Sequence, residues 1–451
     1  MKPLAVIWDF LTRARGPRRM RQRRRKQRGV ALLAVLVALA IILVMTSQFG
    51  TETNIDLFAA ANGRDQMRSH FLARSATNLA ELVIRLQQRI DNIKQLRGQV
   101  QITDFADQVV LAFCGGAEEV KSAVGFSPSS VKGLGADIGT CGIVNQQITT
   151  EDDKLNVNCF NGNDATAATF KSALDALVYF NAYDPVFEEA DAEGYRRDRA
   201  LQVAAIADYI DSNSLKNRER GTSEDYGYES LKDPYRPKNN YLDSLGELKL
   251  VRGIDDRFWS LFGSGFTVYG ACKVNLSALS NSQLVAAILF LAAKNPNDPV
   301  VQDPKKLFAL ASIVARAKQF GMQFQTIDDF IEYVKDPGAS LGSLAGQSGS
   351  QAGSAAGAAV NAGVPGLTGG DKLKLELDKQ KLSQMTTAGP RRTYRVEAWG
   401  EIERKQKDAA GNPVFPPIRS TITAVWDTKV VNQNVRKPPA PKGAWVYLRE
   451  D

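Results

Sequence analysis

Four cysteines, one histidine and a scatter of carboxylates are the side chains with chemistry to offer. His70 is the only histidine, which excludes a multi-histidine metal site and leaves no setting for a histidine-based triad. No glycine-rich phosphate loop and no Gly-x-Ser-x-Gly elbow occurs, and Gly115-Gly116 and Gly263-x-Gly265 read as turns. Nothing points to an enzyme. Cys114, Cys141, Cys159 and Cys272 include no Cys-x-x-Cys pair, so structural zinc is not expected. A hard cation such as calcium wants clustered oxygens. Asp208, Asp211 and Asn213 close a predicted helix, and Glu224 and Asp225 follow after a basic loop. The spacing is not that of an EF-hand, and solvated loop carboxylates are the plain alternative.

The charge distribution bears on what must hold these groups in place. The chain has 57 Lys+Arg and 49 Asp+Glu, net +8. Residues 1–28 hold 11 of the basic residues against Asp9 alone, leaving 46 basic and 48 acidic side chains for the rest. The excess is a terminal tail, not the general basic surface of a nucleic-acid binder. Val30 to Met45 follows without a polar residue, just short of the roughly 20 residues that cross a bilayer. The positive-inside rule keeps the tail in the cytoplasm. Thr46-Ser47-Gln48-Phe49-Gly50 is a poor secretory cleavage site, and a plain signal anchor is the simple alternative.

No proline occurs from Val30 to Ser127. Leu72, Ala76, Leu79, Leu82, Val83, Leu86, Ile90 and Ile93 recur at helical steps. One helix from Val30 to Ile93 is expected, about 96 Å long, with Gly50 and Gly63 as places where it could bend. Arg28-Gly29-Val30-Ala31-Leu32-Leu33 resembles the leader junction of type IV pilins and pseudopilins. That resemblance implies cleavage between Gly29 and Val30 by a prepilin peptidase and methylation of Val30. Most of the family carries Glu four residues after the new terminus; Ala34 stands here, as in the K-type minor pseudopilins of type II secretion. A subunit at a filament tip has no later neighbour whose amine such a carboxylate would pair.

The body extends the resemblance. Asp153–Cys159 and Cys272–Ser277 are similar alternating segments, expected as strands, that bracket a helical insert. Between them lie Ala200–Asn213, Glu224-Asp225-Tyr226, Pro234–Asn239 and Leu242–Ile254, in the K-type order. The last is also similar to a helix-hairpin-helix, which grips nucleic-acid phosphates. Asp255 and Asp256 follow it, so it is read as a packing unit and nucleic acid is not an expected partner. Gln283–Ala293, Lys305–Phe320 and Ile327–Val334 read as further helices.

Residues 338–370 comprise 23 Gly, Ser or Ala among 33, with no charge, a composition expected of a flexible linker. Tyr394–Ile402 and Ser420–Trp426 alternate as an antiparallel hairpin, and Ala444–Arg449 as a last strand.

The expected fold class is α+β: a long N-terminal membrane and filament helix, then a pilin-like antiparallel sheet interrupted by a large helical, SAM-like or helix-hairpin-helix-like insert. Its expected parts are the leader 1–29, the helix 30–95, the first part of the sheet domain 96–160, and the helical insert 161–270. A strand with a second helical portion (271–337), the linker 338–370 and the closing strands 371–451 complete it.

All four cysteines follow the apolar helix, and an even count outside the cytoplasm favours two disulfides. Three pairings are possible. Cys159–Cys272 is preferred because these residues flank the two similar strands, leaving Cys114–Cys141; buried free thiols are the alternative.

The resemblance implies calcium in the loop of Asp208, Asp211, Asn213, Glu224 and Asp225. It also implies an inner-membrane, single-pass protein with a periplasmic bulk that caps the pseudopilus tip and primes its assembly. The implied partners are I-type and J-type minor pseudopilins, the prepilin peptidase, the inner-membrane assembly platform, and the secretin or secreted substrates. A signal-anchored periplasmic scaffold is the competing expectation.

Overall fold

Freedom from proline lets one helix, α1, run Arg28–Asn92, continuing through Gly50 and Gly63. The structure, a computed structural model, describes residues 28–93, 100–114, 139–190, 194, 198–213, 226–317, 324–337, 373–404, 415–431 and 442–451. The linker segment 338–370 lies outside them. The chain forms two compact units divided after Met67. In the first, the apolar side chains from Leu32 to Met45 are exposed. Among the described residues α1 is the one helix long and apolar enough to span a membrane.

In the second unit, the buried face of α1 differs from the expected stripe. Leu82, Leu86 and Ile93 are 57%, 50% and 46% exposed, while Leu72, Ala73, Ala76, Ala80, Val83 and Ile84 are buried. Close approach to the sheet is the reason. A Cβ at Gly400 would sit 2.3 Å from the Ser69 carbonyl oxygen and 2.5 Å from the Ala73 nitrogen. At that separation mostly small side chains fit between the backbones. Ser69 Oγ donates to the Gly400 carbonyl at 2.7 Å.

That sheet is antiparallel and built from both ends of the unit. Its order is β1 (Thr140–Ile143), β7 (Thr393–Ile402), β8 (Ile418–Val431) and β9 (Lys442–Glu450), with β2 (Thr149–Thr150) also on β7. The alternation of β7 turns Tyr394, Val396, Ala398 and Ile402 onto α1 in one core with Ile84 and Trp426. Helix α2 (Ala106–Cys114) adds Ala106 and Val110 to it. Arg85 lies over the Trp426 ring, and Trp445 Nε1 donates to Glu81, tying β8 and β9 to the helix.

A second core belongs to the helical body. Its first half holds α3 (Asp164–Val178), α4 (Asp184–Glu188), α5 (Arg199–Ile210) and α6 (Asp256–Phe262). Its second half holds α7 (Ser282–Ala292), α8 (Pro299–Gln302), α9 (Pro304–Arg316), α10 (Ile327–Lys335) and α11 (Lys379–Met385). Side-chain caps start the helices: Asn163, Asp198, Asp255, Asn281, Asp303, Thr326 and Asp378 each accept from a backbone N–H in the first turn.

The two bracketing segments are shorter strands than expected. Only Leu155–Asn156 (β3) and Val274–Asn275 (β5) are extended pairs, and Val157–Asn161 turns into 3₁₀ helix. β3 pairs in parallel with β4 (Phe266–Thr267), and β5 in parallel with β6 (Thr386–Thr387). Each half thus closes on itself. Leu155, Val157 and Phe160 already belong to the helical core, as do Leu373, Leu375, Leu377 and Leu382 beyond the linker segment. The closing sheet strands begin at Thr393.

Candidate functional site: the junction between sheet and helical body

The chain leaves the sheet after β2 and returns to it before β7, and three consecutive carboxylates sit where these passages meet. Glu151, Asp152 and Asp153 are 1%, 7% and 6% exposed, an unusual burial for charged side chains. Glu151 accepts from Lys154 Nζ at 3.1 Å and from Arg395 Nε. Asp152 accepts from the backbone N–H of Arg392 and, at 3.2 Å, that of Thr393, while its own carbonyl accepts from the Asn275 N–H at 2.8 Å. Asp153 accepts from Ser280 Oγ. One short run therefore holds the outgoing strand, the link between the halves and the returning strand.

Their titration follows from these partners. Burial disfavours the Glu151 carboxylate, yet the charges of Lys154 and Arg395 outweigh it and hold its pKa below the ordinary value. Burial pushes Asp152 up to about 6 despite the two backbone donors. Burial also raises Asp153, against the pull of the Ser280 hydroxyl. The sequence did not mark this cluster: only Asp153 had a reading, as the first residue of an expected strand.

Above the junction the halves close with the same clamp. Asn156 Nδ2 donates to the Gly270 carbonyl at 3.3 Å, and Asn275 Nδ2 to the Gly389 carbonyl at 3.1 Å, each across 114 residues. Both glycines have positive φ, +85° and +118°, which presents the carbonyl inward at a conformation other residues resist. Each Asn Oδ1 also accepts from the N–H two residues on, that of Asn158 or Ser277. The similarity of Leu155-Asn156-Val157 to Val274-Asn275-Leu276 was the available signal.

The cysteines flank these elements. Cys159 is bonded to Cys272, with Cα atoms 5.6 Å apart, at the mouth of the first half. Cys114 is bonded to Cys141, with Cα atoms 5.4 Å apart, joining α2 to β1.

The oxygen-bearing candidates are less gathered. Asp208, near the end of α5, is fully buried and accepts from the Tyr226 hydroxyl. Asp211 Oδ1 accepts from the N–H and Nδ2 of Asn213, at 3.2 and 2.8 Å. Glu224 and Asp225 lie outside the described residues. Among those described, no three His, Cys, Asp or Glu side chains gather to hold a metal ion. Gly29 and Val30 fall in the first turn of α1, with the leader before Arg28 outside the described residues. His70 Nε2 lies 3.8 Å from Glu450.

The segment Leu242–Ile254 is not a pair of α-helices. It holds a 3₁₀ helix, Leu245–Leu250, closed by a Ser244–Glu247 capping box, and its Leu248, Val251 and Ile254 are buried in the body's core.

Residues 154–262, nearly the whole first half, match the family profile of protein K of the type II secretion system. The chain is 24% identical over 234 residues to type II secretion system protein K of Pectobacterium carotovorum subsp. carotovorum, covering 51% of this chain and 60% of that protein. It is 23% identical over 239 residues to the protein of the same name from Aeromonas hydrophila, covering 52% and 62%. The matched region thus spans about three-fifths of these relatives. The crystal structure of the GspK–GspI–GspJ complex from the enterotoxigenic Escherichia coli type 2 secretion system is similar at 12% identity and a TM-score of 0.39, over 69% of this chain and 80% of that one.

Proposed function

We propose that this chain, whose matches support a K-type minor pseudopilin of type II secretion, caps the tip of the pseudopilus and primes its assembly. The observation that carries the reading is the protein K profile over residues 154–262. The exposed apolar start of α1 holds the subunit in the inner membrane before assembly and packs among neighbouring helices after it. Phe71, Leu82 and Leu86 on its exposed face extend that packing surface. The helical body is the periplasmic head, too bulky to stack within a filament. Cleavage at Gly29 removes the basic tail and leaves a head slightly acidic in composition. I-type and J-type pseudopilins are its partners in this role, together with the prepilin peptidase and the assembly platform. Deleting the gene in its own bacterium should abolish export of type II substrates, and the wild-type chain should restore it. Unchanged export after deletion would contradict the role.

Calcium is proposed for the loop after α5, with Asp208, Asp211, Asn213, Glu224 and Asp225 supplying oxygens. Buried Asp208 is a hard donor of the type this ion takes, and the ion would neutralise carboxylate charge there. Calcium should raise the melting temperature of the detergent-purified chain, and Asp211→Ala should reduce the rise. The same melting temperature with calcium and with chelator would sink the proposal.

A further inference from the structure

The two disulfides differ in what can reach them. Cys114 and Cys141 are 4% and 0% exposed, and both belong to the core between α1 and the sheet. Cys159 is 1% exposed, inside the core of the helical body. Its partner Cys272 is exposed. The residues on either side of Cys272, Ala271 and Lys273, line a cavity of about 500 Å³. Thiol–disulfide exchange begins with a thiolate approaching a sulfur from outside, along the S–S axis, so its rate depends on which sulfur is accessible. Packed core closes both ends of Cys114–Cys141. At Cys159–Cys272 one end is closed and the other is open.

We propose that Cys272 is a thiol-exchange site, where a dithiol reductant enters and opens the first half of the helical body while Cys114–Cys141 stays shut. The reductant's thiolate bonds to Cys272 Sγ, the S–S bond breaks, and its electron pair leaves on Cys159, which takes up a proton. Apolar burial keeps Cys159 a thiol, and the thiol is the weak nucleophile of the pair. Return attack by Cys159 is therefore slow, and the mixed disulfide waits for the reductant's second thiolate. That thiolate attacks the reductant's own sulfur and releases Cys272 as thiolate. Two electrons pass in all: the dithiol is oxidised to a disulfide and Cys159–Cys272 is reduced to two thiols. The opened half keeps the β3–β4 pair and the Asn156–Gly270 hydrogen bond, so it loosens without losing its framework. This inference stands independently of the secretion role.

The test uses the wild-type full chain in neutral detergent, treated with dithiothreitol, quenched with iodoacetamide at intervals and mapped by peptide mass. Cys159 and Cys272 should acquire alkyl groups roughly tenfold or more faster than Cys114 and Cys141, which should stay linked until denaturant is added. Reduced glutathione, a monothiol, should leave its adduct on Cys272 and a free thiol at Cys159. Hydrogen exchange of the singly reduced chain should rise within residues 155–270. Equal rates for the two disulfides, faster reduction of Cys114–Cys141, or no reduction of either without denaturant would overturn the proposal. So would a glutathione adduct on Cys159, or unchanged exchange in the singly reduced chain.

Discussion

The two halves of the helical body close alike and are held differently. In each, a two-residue parallel pair and an Asn-to-glycine hydrogen bond spanning 114 residues bring the ends together. The first half adds the Cys159–Cys272 disulfide across its mouth; the second closes without one. The first also spends residues 226–254 on extended chain and 3₁₀ turns. The second packs α7, nearly all buried, against α9 in helix-on-helix fashion. The closure is thus a common device. The covalent link stands where the enclosed chain has less regular structure to hold it.

Removing the disulfide should have the largest effect. With its cysteines 113 positions apart in the sequence, the Cys159→Ser/Cys272→Ser variant should lose about 4 kcal/mol. Hydrogen exchange should rise in residues 155–270 more than in 274–389. Equal rises would mean that the halves do not differ in this way.

The clamps come next. Asn275→Ala removes bonds to Gly389, Pro390 and Ser277 from the half without a cross-link, and should cost about 2 kcal/mol in denaturant unfolding. Asn156→Ala, with Cys159–Cys272 still closing its half, should cost nearer to about 1 kcal/mol. The reverse order would remove the disulfide's compensating role.

The smallest effect concerns the junction from which both halves hang. Asp152 is raised from 3.8 to about 6, so the fold favours its neutral form. That stabilisation is complete below the unfolded value and is lost as pH rises through about 6. From pH 7 to pH 5 the protein should gain about 1 kcal/mol from this group. Asp153, also raised by burial, works in the same direction. Glu151, lowered in the fold, works in the opposite direction only at more acid pH. Asp152→Asn should flatten the slope seen in thermal melts across that window; an unchanged slope would place the titration elsewhere.

The sheet was legible because Tyr394–Ile402 is long enough for alternation to register, and the helices of the second half because their apolar periods survive over several turns. The closure was not. A two-residue strand has no period, and the role of Asn156 or Asn275 depends on a glycine carbonyl far along the chain. The buried face of α1 was misread because residue size suggested Leu82 and Leu86. The glycine on the opposing strand, Gly400, favours small residues on the packed face instead. The burial of Glu151–Asp153 was not legible either, since their cationic and amide partners, Arg395, Arg392 and Thr393, arrive more than 200 residues later.

The proposed pseudopilin role is tested most directly by the mass of the mature chain purified from the membranes of its own bacterium. The expected chain begins at Val30 with one methyl group on its amine. A chain that begins at Met1 with its basic leader intact would contradict it.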